Sequence, residues 1–223
     1  MKNILILALT MSFAAIGFAQ DYTEQSDPQA KAILEKMKTK YESYQSLRAN
    51  FSLIIELPEE DAETQQGSMS QMADKYRMEM GTQSIICDGE TLWLHLKDNN
   101  EVQINDFDPE EAADGEIMSP NDLLRIYEKD GYIYQLAGES TEKGRTVQHI
   151  EFKPTDEDAD FFKLRLTIDK KTLDILQIKA FSEDGSRFTL VIDELETNPT
   201  FDKAHFSFDK GKFPGVHVED LRI

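Results

Sequence analysis

Residues 161–195, "FFKLRLTIDKKTLDILQIKAFSEDGSRFTLVIDEL", limit the possible folds more than any other stretch of the chain. They read as three strands joined by tight turns at 169–172 and 183–186, which makes an antiparallel meander. The same two-residue period recurs elsewhere. Phe51, Leu53, Ile55 and Leu57 alternate with Ser52 and Glu56, and Tyr76, Met78 and Met80 alternate with Arg77 and Glu79. Successive side chains of a strand leave on opposite faces, so each run has one apolar face to bury. The runs 48–57, 65–71, 75–80, 83–87, 91–96, 101–104, 132–138, 145–153, 161–168, 173–181 and 186–195 amount to about eleven strands.

Two segments break the pattern. In 27–44, "DPQAKAILEKMKTKYESY", Asp27 is a good N-cap, Pro28 suits the first helical position, and Ala30, Leu34, Met37, Tyr41 and Tyr44 recur at spacings of three and four. That stripe predicts an amphipathic helix with one side to bury. A second, shorter helix is signalled at 119–131, where Ser119 caps, Pro120 opens, Leu123, Leu124 and Tyr127 share a face, and Gly131 ends the segment. No linker or internal repeat interrupts the series, so one mainly β domain with helix laid over sheet is expected from residue 20 to 223.

Residues 1–19 read as an export signal: Lys2 precedes an apolar run from Ile4 to Phe18, and Gly17 and Ala19 suit a cut before Gln20. The run is shorter than the roughly 20 residues of a bilayer span, so a soluble exported protein is expected. Lys and Arg number 24 against 43 Asp and Glu, a formal charge of −19, which argues against nucleic acid as a partner. The acids cluster at 56–63, 105–116 and 154–160, as on a well-solvated surface, with a basic docking partner as the sharper alternative. One cysteine excludes an internal disulfide, so stability must come from burying apolar surface.

Enzyme chemistry finds little footing. Cys87 stands beside an Asp-Gly pair and eight residues before His95, which invites a nucleophile reading. Asp88-Gly89 is, however, a strong hairpin signal. In that hairpin Leu92, Leu94 and Leu96 share one face and Trp93 and His95 the other, too far from Cys87 for a hydrogen bond. His95, His149, His205 and His217 sit singly, without metal-ligand spacing. Acidic pairs such as Glu59-Glu60 or Asp156 and Asp158 lie in polar runs that would not raise a carboxyl pKa. Neither a GxSxG motif nor a phosphate loop nor a dinucleotide fingerprint occurs.

Four segments, in order, carry a resemblance. "GSMSQMADKYRMEMGTQSIICDGETLWLHLKDNNEVQI" (67–104) is similar to the signature of the LolA family of periplasmic lipoprotein carriers: a Gly-led strand, an aromatic-led strand, and an I-x-S/C-D-G-x-T-L-W hairpin. "ILEKMKTKYESYQSLRANFSL" (33–53) resembles that family's first helix and strand, "SPNDLL" (119–124) its lid helix, and "AHFSFDKGKFPGVHVEDLR" (204–222) its closing segment.

The resemblance implies an open antiparallel half-barrel covered by two or three α-helices. It further implies a monomeric periplasmic carrier, not an enzyme and without cofactor or metal. Such a carrier takes lipoprotein acyl chains from an inner-membrane ABC exporter to an outer-membrane acceptor. A carrier or sensor of another amphiphile, such as a glycolipid, is the second reading, and an unrecognised periplasmic hydrolase a remote third. The implied acyl-chain-binding residues are Met37, Tyr41, Phe51, Leu53, Ile55, Met69, Tyr76, Met78, Met80, Leu123, Leu124 and Tyr127. Met72 belongs to the same group of adaptable methionines. One departure stands out: the family's basic residue after the Gly-led strand is replaced by Gln71-Met72-Ala73, so lid closure is expected to rest mainly on apolar contact.

Overall fold

The computed structural model describes residues 25–107, 126–128, 131–156 and 159–222. The expected signal at 1–19 and the lid residues Leu123 and Leu124 lie outside them. Among the described residues one α-helix, α1 (Pro28–Glu42), precedes twelve strands. These are β1 (Leu47–Glu56), β2 (Glu63–Met72), β3 (Lys75–Met80), β4 (Gln83–Cys87), β5 (Thr91–Leu96), β6 (Glu101–Asp106), β7 (Tyr132–Glu142), β8 (Arg145–Pro154), β9 (Lys163–Asp169), β10 (Ile175–Phe181), β11 (Arg187–Thr197) and β12 (His217–Asp220). They form one sheet in the order β12-β6-β5-β4-β3-β2-β1-β11-β10-β9-β8-β7, whose two ends do not pair with each other. The expected eleven strands are thus joined by a twelfth. The expected count of two or three lid α-helices is not matched: among the described residues α1 is the one α-helix, accompanied by short 3-10 turns at Ile126–Glu128, Lys203–Phe206 and Lys210–Lys212.

All neighbours are antiparallel hairpin partners except at two places. β1 and β11 pair antiparallel across the chain and join the first six strands to the next five. β12 pairs parallel with β6. It can do so because residues 199–216 cross the sheet as a strap. Phe201 takes the Arg48 guanidinium 5.0 Å from its ring centroid, the His205 carbonyl accepts from Arg77 Nη1 at 3.2 Å, and His95 packs edge-on against Phe208 and Phe213. The strap ends where Asn100 Nδ2 donates to the Gly215 carbonyl. Arg48, Arg77 and His95 are all on one face, so the strap seals that face over β1–β6, burying Phe206, Val216, Ile86 and Val102.

Helix α1 lies on the other face. Asp27 caps it by accepting from the Gln29 N–H at 2.7 Å, and the stripe Ala30, Leu34, Met37 and Tyr41 is buried. The stripe packs with Tyr134, Ile150, Phe152, Leu164, Leu166, Ile168 and Ile175, so the core sits under the β7–β10 half of the sheet. Apolar contact is not the only attachment. At the bulge between Leu136 and Gly138 in β7, the Leu136 N–H donates to Asp27 Oδ2 at 3.1 Å, and the Asp27 N–H donates to the Tyr134 carbonyl at 2.8 Å. At the bulge between Ile175 and Gln177 in β10, the Ile175 N–H donates to Tyr41 Oη at 2.9 Å. Lys40 bonds Asp174 and, at 2.6 Å, the Thr172 carbonyl. Each bulge frees a backbone donor that a helix side chain or cap accepts, so to the apolar contact on which closure was expected mainly to rest the structure adds directional bonds at both ends of α1.

Two outcomes follow. Tyr41→Phe removes the acceptor of a buried N–H and should cost about 1–3 kcal/mol in urea unfolding at pH 7, with helix content retained. The second concerns the strap. Burial, reinforced by Arg77 with Lys97 at His95 and with Arg48 at His205, holds both imidazoles below their ordinary 6.5, against the opposing pull of Glu79 on both and of Asp202 on His205. The unfolded chain therefore binds more protons than the folded one below that value. Stability should be flat above about pH 7.5 and fall as pH drops through 6.5, and His95→Phe should flatten that fall in unfolding curves taken from pH 8 to 5.

Candidate functional site

The register lines up side chains in rows across the helix-bearing face. One row runs Leu195, Ala49, Met69, Met78, Ile85, Leu94, Gln103. The next runs Ile192, Phe51, Gly67, Met80, Gln83, Leu96, Glu101. A third runs Leu47, Gln71, Tyr76, Cys87, Leu92, Asn105. Leu53 and Ile55 extend the surface beside Leu190 and Phe188. Helix α1 covers the β7–β10 end of this face, and its core cluster draws no residue from β2–β5. Accordingly Leu53, Ile55, Met69, Met78, Met80, Ile85, Leu92, Leu94 and Leu96 are only half-buried. They form an apolar wall; from β1 to β5 it spans about 19 Å at the usual 4.8 Å strand spacing, comparable with an extended long acyl chain.

Local sequence explains the wall's shape. A β-carbon at Gly67 would lie 2.3 Å from Phe51 Cζ, so only glycine lets that ring lie across β2. Phe51 is thereby packed down, and Met69 and Met80 stand free beside it. On the opposite face, Glu79 accepts from Arg77 Nε at 2.8 Å and Lys97 Nζ at 2.9 Å and from the Ser84 hydroxyl. Burial pushes its carboxyl up, but these bonds together outweigh it and keep the carboxyl below the ordinary carboxylate range. The network fixes Arg77 away from the wall, so it does not replace the family's missing basic residue. Gln71 stands at that point of the wall instead, buried beside Leu47 and Tyr76.

The twelve residues expected to hold acyl chains separate into groups. Leu53, Ile55, Met69, Met78 and Met80 share the half-buried wall, with Phe51 and Tyr76 buried in it. Met37 and Tyr41 are sealed in the α1 core, where Tyr127 also lies, its ring edge-on to Tyr134. Met72, three residues after Met69 in the same strand, takes the opposite face. The wall has members the sequence reading did not nominate: Ile85, Leu92, Leu94, Leu96 and Leu190. The shared face of Leu92, Leu94 and Leu96 was visible in the hairpin, and only the pairing of β4 with β3 was needed to place them beside Met78.

Cys87 and His95 face opposite sides of the sheet, since Cys87 pairs with Leu92 and His95 with Ser84. Burial pushes the Cys87 thiol up to about 11, helped by Asp88 and Asp74. Elsewhere, Ser140 Oγ lies 2.8 Å from His149 Nε2, but His149 Nδ1 meets the Thr167 hydroxyl at 3.2 Å in place of the carboxylate of a hydrolytic triad. Among the described residues no three His, Cys, Asp or Glu side chains converge as metal ligands, and no helix is long and apolar enough to cross a membrane. Cys87 should resist iodoacetamide at pH 8 in the native protein and be labelled fully in urea, as followed by intact mass.

Comparison with known proteins adds the following. The family model described as outer membrane lipoprotein carrier protein LolA matches residues 42–209. An uncharacterized conserved protein from Thermus thermophilus shares the fold at 13% identity, over 86% of this chain and 99% of that one, with a TM-score of 0.57. A LolA superfamily protein from Nitrosomonas europaea aligns at 13% identity over 81% and 98%, with a TM-score of 0.42. LprF from Mycobacterium bovis aligns at 10% identity over 80% and 98%, with a TM-score of 0.46. No curated protein matches.

Proposed function

The chain belongs to the LolA family of outer membrane lipoprotein carrier proteins, and on that premise we propose that it binds the acyl chains of lipoproteins on the apolar wall that α1 leaves uncovered and carries them through the periplasm. The observation that carries this reading is the half-buried run Met69, Met78, Ile85 and Leu94, flanked by Met80, Leu92 and Leu96. A contiguous apolar surface of this kind marks a binding site. Shielding an acyl chain of about 15 methylenes from water is worth roughly 12 kcal/mol at about 0.8 kcal/mol each. Methionines let the wall repack around chains of different length, because the unbranched thioether adapts at small cost. The leader at 1–19 delivers the chain to the periplasm as one carrier domain, monomeric there. An inner-membrane exporter loads it, and an outer-membrane acceptor receives the cargo because it offers the acyl chains a better-covered site.

The test is to purify the protein from its native periplasm and identify bound molecules by mass spectrometry; acylated lipoprotein fragments are expected. A glycolipid in their place would make it a carrier or sensor of another amphiphile, and a hydrolysed lipid product an enzyme. A substitution checks the wall itself. Met78→Asp places a charge at its centre and should weaken binding of a neutral solvatochromic dye at least tenfold, while the unfolding midpoint moves little because Met78 is only half-buried.

A further inference from the structure

Charge is distributed unevenly between the two faces. The described strands carry Arg48, Lys75, Arg77, Arg145, Lys153, Lys163, Arg165, Lys179 and Arg187, and the register puts all nine on the face away from α1. No Lys or Arg of a described strand faces the wall. Nearby cations of α1 are engaged elsewhere: Lys38 with Glu42 and Glu128, and Lys40 with Asp174. The polar groups on the wall are amides and acids. Gln103, Glu101 and Asn105 end the three rows at β6, Gln83 interrupts the second, and Glu63 and Gln65 close the β2 side. Gln103 Nε2 donates to Glu101 Oε1 at 2.9 Å, and Gln65 Nε2 to Glu63 Oε1 at 2.9 Å. Beyond β6, His217 and Glu219 of the edge strand stand beside Glu101 and Gln103.

Each row therefore runs from the apolar core at Leu195, Ile192 or Leu47 to a polar end at β6, and a bound amphiphile would lie with its tail toward α1 and its head at β6. We infer that this wall selects amphiphiles with an uncharged head rich in ester or amide groups and discriminates against heads bearing phosphate or carboxylate. The inference rests on the acyl-binding reading above. Carboxamide N–H groups satisfy ester and amide carbonyls without bringing a charge. An anionic head would lose its water beside Glu101 and gain no cation from the described strands. The same head chemistry is offered by an acylated lipoprotein terminus and by a free glyceride.

The experiment measures displacement of a neutral solvatochromic dye from the purified protein at pH 8. The competitors are monopalmitoylglycerol, an uncharged diacylglyceryl-cysteine peptide, and palmitoyl lysophosphatidate. The two uncharged competitors should bind at least tenfold more tightly than the lysophosphatidate, the tighter of the two naming the source. Gln83→Lys and Gln103→Lys should each narrow that ratio at least fivefold. Thr64→Lys makes the same change of charge on the opposite face and should leave the ratio alone. Equal affinity for charged and uncharged heads, or equal narrowing by Thr64→Lys, would overturn the inference while leaving the carrier reading intact. Failure of every lipid to displace the dye would remove the carrier reading and the inference together.

Discussion

The ladder between β1 and β11 holds the two parts of the sheet together. β1–β6 and β7–β11 are each built from sequential hairpins, and this long-range pair makes them one surface. It is reinforced along the face away from α1, where Arg48 meets Glu196 at 2.8 Å, Asn50 meets Glu194 at 3.1 Å and Ser52 meets Asp193 at 2.6 Å. The irregularity between Asn50 and Phe51 sits in the same ladder. Beside it Phe51 lies over Gly67, and the covered part of the face gives way to the open one. Without this junction, the helix-covered core and the open wall would be separate half-sheets, each with an exposed edge.

Much of this architecture can be read from alternation. Eleven strands lie where period-two runs predicted them, and Asp27, Pro28 and the stripe to Tyr41 define α1 because capping and the helical period act locally. The twelfth strand was hidden. His217–Asp220 is four residues long, without an apolar alternation, and it is placed by the strap that delivers it to β6. Bulges were hidden as well, since an extra residue in a ladder is settled by the partner strand. The wall was partly legible: Tyr76, Met78 and Met80 share a face in sequence, but their apposition to Ile85 and Leu94 is a matter of register. Met72 shows the limit of grouping by residue type, because an odd offset from Met69 already places it on the other face.

Helix α1 differs from an apolar flap resting on a barrel. It is fixed at both ends to strand irregularities, through Asp27 at β7 and through Tyr41 and Lys40 near β10. Motion of the whole helix would break directional bonds at both ends, whereas the wall over β2–β5 can change occupancy without disturbing them. The covered half thus behaves as scaffold and the uncovered half as the adaptable part, where the methionines are found.

The β1–β11 pair also sets an order of events. A chain is made with its amino terminus first, so β1 can pair with β2 at once, but its other edge has no partner until β11 arrives. Leu47 pairs with Thr197, a contact of very high sequence separation, and such contacts close slowly because loop entropy is lost before they form. During that interval one flank of β1, with Phe51, Leu53 and Ile55 on its face, is an unsatisfied edge open to pairing with other chains. No disulfide holds the halves near each other meanwhile. The period between synthesis and closure of this one ladder is when the protein is most exposed to aggregation and proteolysis.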